Sequence, residues 1–199
     1  VKKAFPYVSV ALAAVTLAAS VAVATIVNGS PWSTVRILQL SSYGGVDNSQ
    51  LANGEWWRLV TAQFVHVKPA HMLLNVITLF LLAMCVERAA GSLRLFLLWM
   101  LSGTAGTYAS IYSVPPPYDI GSGASQAVMG IAGAAIVVMR RNLAYPSWLK
   151  GTLVVTLGIA ALLDLLNSSR LKPGHVVGFL VGLILAIALV PRPASAGIG

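Results

Sequence analysis

Residues 8–27 read VSVALAAVTLAASVAVATIV, twenty positions without a charged side chain. At 1.5 Å per residue, such a run makes a helix about 30 Å long, the thickness of a bilayer's hydrocarbon core. Lys2 and Lys3 precede it, as they would precede a signal sequence. The run exceeds the roughly 7–15 apolar residues of a signal core, so it reads as a membrane helix. Further apolar runs follow at 71–86, 93–113, 125–139, 148–166 and 175–190. Composition agrees, with 57% hydrophobic and 9% charged residues, where soluble domains carry about 25% charged. The expectation is an all-α polytopic membrane protein, residues 1–199 forming a single membrane domain of six transmembrane helices with a long outer loop over 28–70.

The formal charge of +8 is scattered singly and in pairs between the apolar runs, which excludes a nucleic-acid-binding face. With the N-terminus in the cytoplasm, the inner segments carry Lys2, Lys3, Arg88, Arg94, Arg140, Arg141, Lys150 and Arg192. The outer ones carry fewer cations: Arg36, Arg58, Lys68, Arg170 and Lys172. This bias places both termini in the cytoplasm. Trp32, Trp56 and Trp57 suit the loop over 28–70 to the water–lipid interface. The lone Cys85 excludes an intramolecular disulfide and reads as a small core residue. No internal repeat supports a transporter built from inverted halves.

Polar residues inside the spans are expensive, so their depth is informative. Ser125 lies about 22 Å above the inner end of its helix, which Arg140 and Arg141 mark, and His175 lies about 22 Å above Val190. Glu87 marks the inner end of the second span, with His71 and Asn75 roughly 24 Å and 18 Å above it, four residues apart and on one face. Three helices therefore bring a reactive type of side chain to one depth. The small residues of Asp119-Ile-Gly-Ser-Gly-Ala124 and the Lys172-Pro173-Gly174 turn suit irregular backbone lining a cavity. Serine beside a neutral imidazole is the minimum for nucleophilic acyl transfer. His71, Asn75 and the Ser125 N–H are candidate oxyanion donors. Gly178 and Gly182, with Gly130 and Gly133, allow the two helices to approach closely.

These residues together resemble the rhomboid intramembrane serine proteases. The motifs are Glu55-Trp56-Trp57-Arg58, His66 with His71 and Asn75, Glu87 with Gly91, Gly123-Ala124-Ser125-Gln126, and Gly174-His175 with Gly178 and Gly182. They run in family order from about 54 to 190. The resemblance implies Ser125 as nucleophile and His175 as its general base, a dyad without a third acidic member. It implies His71 and Asn75 as oxyanion stabilisers, Trp57-Arg58 as an anchor of the outer loop, and a six-helix core without a seventh span. Two positions depart from the family pattern: Gln126 stands where glycine is common, and Met129 where an aromatic residue usually packs on the histidine.

Other readings are weaker. His66, His71 and His175 could in principle hold zinc, but there is no HExxH and no carboxylate on the second span to act as base. Read alone, His66 is a structural histidine of the outer loop, and Asp164 is a buried hydrogen-bonder or interface residue in preference to a third triad member. Glu87 and Arg88 read as an anchor at the inner boundary. The expectation is a cofactor-independent, metal-free serine endopeptidase of the lipid bilayer, cleaving single-span transmembrane proteins near the outer face of a bacterial inner membrane. The alternative is a catalytically inactive rhomboid-like protein that binds client helices or belongs to a larger membrane complex.

Overall fold

The computed structural model describes residues 5–141 and 143–192. Among these, extended pairing is confined to an antiparallel bridge between Val46 and Gly121. Helix α1 (Tyr7–Asn28) leads into short helices α2 (Ile37–Leu40), α3 (Asn48–Ala52) and α4 (Arg58–Thr61). Five long helices follow: α5 (Pro69–Ala90), α6 (Ser92–Ile111), α7 (Ser125–Arg140), α8 (Trp148–Ser168) and α9 (Pro173–Leu189). Helices α1, α5 and α8 are long and apolar enough to cross a bilayer, with mean hydropathies of 2.4, 2.0 and 1.9, while α7 and α9 are apolar but shorter. Helices α5 and α9 start two residues before the apolar runs do. Each opens on a proline, Pro69 or Pro173, which loses nothing at a position whose N–H has no helical partner.

The centre of the bundle is α7, packed against α5, α6 and α9. Gly130, Ile131, Ala132, Gly133, Ala134 and Ala135 are all buried along it. Lipid tails provide no hydrophobic drive for helices to associate, so close packing of main chains has to hold them. Helix α9 supplies its half through two glycines. A Cβ at Gly178 would strike the Gln126 carbonyl, and one at Gly182 the backbone of Gly130.

Charged residues tie off the end of the bundle at which α1 begins and α5 ends. The Glu87 carboxylate accepts from the Val8 N–H at 3.0 Å, the Ser9 N–H at 2.8 Å, and the Ser9 and Ser92 hydroxyls at 2.6 and 2.7 Å. One side chain thereby caps the free N–H groups of α1, favours their positive dipole end, and fastens the start of α6. Arg141 donates to the carbonyls of Val190 and Ile187, satisfying the last turn of α9.

The long loop between α1 and α5 is ordered around Arg58. Its guanidinium donates to Glu55 at 2.5 Å and to the Ser41 and Gly45 carbonyls at 2.8 and 3.1 Å, and it lies 4.6 Å from the Trp57 ring centroid. Asp47 caps α3 through the Gln50 N–H at 2.9 Å, and Asp119 accepts the Asn48 N–H at 3.2 Å. The second of these bonds joins the loop to the segment that leads into α7.

Candidate active site

Ser125 is the first residue of α7, and a sharp turn puts it there. Gly123 adopts φ +97°, a left-handed conformation that a side chain would strain, and donates its N–H to the Ala62 carbonyl at 2.8 Å. The next N–H, of Ala124, donates to His66 Nε2 at 3.1 Å. The same nitrogen accepts from the Asn75 amide at 3.1 Å. Nδ1 therefore carries the proton and faces Ser20 Oγ at 2.9 Å, whose hydroxyl in turn donates to the Phe64 carbonyl at 2.7 Å. Burial, with the His71 ring 5.8 Å away between centroids, lowers the His66 pKa to about 3. His66 is a neutral hub joining α1, the long loop before α5, α5 itself and the turn before Ser125. Sequence reading gave it a structural role, but Ser20, a polar residue within the first apolar run, was the overlooked sign of its partner.

His175 sits in the first turn of α9 with its ring buried. Nε2 is 2.9 Å from Ser125 Oγ, and Nδ1 is 2.7 Å from Asp164 Oδ2 on α8. Asp164 is 1% exposed, and the same oxygen also accepts the Lys172 N–H at 3.0 Å. Lys172 Nζ lies 3.8 Å from its other oxygen. Sequence reading favoured a buried hydrogen-bonder or interface residue over a third triad member for Asp164; the structure gives it His175 as its partner.

A small cavity of about 40 Å³ is lined by Ser125, His175, His71, Asn75, Met129 and Asp164, among others. That is space enough for water. The four residues singled out from sequence as nucleophile, base and oxyanion donors thus border one cavity. Beside it, a cleft of about 390 Å³ is bordered by His66, Lys68, His71, Gln126, Lys172 and neighbouring loop residues. His66 and His175 each have both ring nitrogens engaged with other groups, so the three imidazoles do not converge as a metal-binding set.

The two departures have definite places. Gln126 donates its amide to Ser110 Oγ on α6 at 3.2 Å, so it is held by a neighbouring helix and borders the cleft. Its Oε1 lies 3.3 Å from Ser125 Oγ, farther than His175 Nε2. Met129 lines the cavity where an aromatic ring would stand against the histidine.

Apolar helices, with a serine and a histidine facing each other from close-packed α7 and α9, define a multi-pass integral membrane protein. Residues 53–192 match the Rhomboid domain, and the chain belongs to the rhomboid family. It is similar to the rhomboid protease GluP of Bacillus subtilis (strain 168), 31% identical over 177 residues, 86% of this chain and 33% of that protein. YdcA of the same organism is 32% identical over 146 residues, 73% of each chain. The rhomboid protease AarA of Providencia stuartii is 26% identical over 163 residues, 70% of this chain and 58% of that one. The chain therefore spans a third of GluP, somewhat over half of AarA and nearly three quarters of YdcA.

Proposed function

We propose that the protein is an intramembrane serine endopeptidase that hydrolyses peptide bonds of single-span transmembrane substrates near the outer face of the membrane. The observation that carries this is the 2.9 Å approach of Ser125 Oγ to His175 Nε2. With the Nδ1 proton directed at a carboxylate, which can only accept, Nε2 presents a lone pair to the hydroxyl. His175 takes the serine proton as Ser125 Oγ attacks the scissile carbonyl carbon, and gives it to the leaving amine as the C–N bond breaks. Water from the cleft then attacks the acyl-serine, with the same imidazole as base, and releases the carboxylate product and the serine hydroxyl. Asn75, His71 and the Ser125 N–H border the space where the oxyanion develops and are assigned to it.

Residues 1–199 act as one membrane domain in this reading, placed in a bacterial inner membrane with both termini cytoplasmic. The family membership and the relatives named as rhomboid proteases support the protease assignment. The rival, an inert protein that holds client helices, has one observation behind it: Gln126 Oε1 offers the Ser125 hydroxyl a second acceptor, though at 3.3 Å it is the more distant one. Cleavage of a single-span reporter in proteoliposomes, wild type against Ser125→Ala, separates them. Cleavage by wild type alone supports the protease. An inert wild type that Gln126→Gly rescues would establish the rival.

A further inference from the structure

We infer that Asp164 is a positioning residue for the reaction, the third member of a Ser125–His175–Asp164 relay, an inference that rests on the protease reading above. Three facts of geometry converge on it. Asp164 Oδ2 meets His175 Nδ1 at 2.7 Å, on the ring edge away from Ser125. The carboxylate is 1% exposed, so its charge is shielded from water and acts at short range. The same oxygen holds the Lys172 N–H at 3.0 Å, three residues before His175, so ring and helix start are fixed to one point.

A lone imidazole in a cavity has two tautomers and can rotate about its χ2 bond. Met129 provides no aromatic face to stop it. Asp164 removes both freedoms, because a carboxylate accepts only from a protonated Nδ1, and that leaves Nε2 unprotonated and facing the serine. When Nε2 takes the serine proton, the ring becomes a cation 2.7 Å from a buried anion. The proton bookkeeping is simple. The Oγ–H bond breaks and an Nε2–H bond forms, the Nδ1 proton stays on nitrogen, and Asp164 stays ionised throughout. The Nε2 proton then passes to the leaving amine.

The charged and titratable groups near the ring are Asp164 from α8, Lys172 from the turn before α9, and His71 from the start of α5, which itself has Lys68 as a neighbour. Helix α7 contributes the uncharged Ser125 and Gln126, and α6 the uncharged Ser110.

The test is reporter cleavage in proteoliposomes from pH 5 to 9 by the full chain, comparing wild type, Ser125→Ala, Asp164→Asn and Asp164→Glu, each normalised to its folded fraction by thermal unfolding. Asparagine keeps the size and can still accept from Lys172. Asp164→Asn is expected to lower kcat by about 10²–10⁴ with KM nearly unchanged, and to move the acid limb of the pH–rate profile to lower pH. Asp164→Glu is expected to recover part of the rate and the wild-type limb. A merely structural aspartate would alter the folded fraction and leave the limb in place. If wild type cleaves, Ser125→Ala does not, and Asp164→Asn keeps kcat within threefold and the limb unmoved, the relay is overturned while the protease reading stands. If wild type fails to cleave, or Ser125→Ala cleaves equally well, the protease reading fails and the relay falls with it.

Discussion

Two buried histidines bond to adjacent residues, His66 to Ala124 and His175 to Ser125, and their surroundings make them chemical opposites. His66 Nε2 already accepts two N–H donors, from Ala124 and Asn75, and its Nδ1 proton goes to a neutral hydroxyl. It has no lone pair free and no anion to steady a positive charge. His175 Nε2 faces a hydroxyl that can give up its proton, and its Nδ1 proton goes to a carboxylate. One ring is used up as a bracket and the other is kept ready as a base. The lesson is that an imidazole's role is written in what its second nitrogen touches.

The contrast breaks most visibly at the nucleophile. Ser125→Ala and His175→Ala are each expected to abolish reporter cleavage, with the double variant no worse than either single, because the two groups act as a unit. Measured kcat/KM values that fall additively would separate them. Next in size is Asn75→Ala, expected to lower turnover by about 10²–10³ with little change in KM if it donates to the oxyanion. Asn75 also donates to His66, so thermal unfolding must accompany the kinetics. Lost stability with full specific activity would make it helix glue.

His66→Ala should act on the fold rather than on the chemistry. It strips the Ala124 N–H of its acceptor, and a buried donor left unsatisfied costs about 1–3 kcal/mol. The unfolding midpoint in detergent is therefore expected to drop. The pH dependence sharpens the point. The His66 pKa is about 3 in the folded chain against 6.5 unfolded, so between those values the unfolded chain binds more protons. Its contribution to stability is complete above pH 6.5 and is lost as pH falls toward 3. Melting midpoints from pH 7 to 4 should fall more steeply for wild type than for His66→Ala. The smallest effect is expected from Gln126→Gly, a change in rate of no more than about tenfold, or about 1.4 kcal/mol, because the amide is held on Ser110.

The helices were legible because membrane spans announce themselves by length and apolarity. The run over 8–27 became Tyr7–Asn28; α5 and α9 each start two residues early, at a proline, and α5 runs four residues further than expected, to Ala90. Ser125, His175, His71 and Asn75 could be matched in advance because depth along a helix is simple arithmetic. Partners across the bundle could not. Asp164 precedes His175 by eleven residues but lies on a different helix; the chain must turn back at Ser169, φ 54°, before they meet. Ser20 and His66 are 46 residues apart, and only the packing of α1 on the loop brings them together. A polar residue in an apolar run shows that a partner is needed, but not where the partner is.

The glycine contacts between α7 and α9 carry a consequence for how the protein meets bilayers of different thickness. Membrane helices answer such a mismatch chiefly by tilting. At Gly178 and Gly182 the two helices touch main chain to main chain, with no side chain between them to bend or change rotamer. They therefore tilt as one plank, and the gap between Ser125 and His175 travels with it unchanged. A thinner or thicker membrane alters where a substrate's peptide bond arrives relative to the serine, while the serine's distance from its histidine stays that of the main-chain contact.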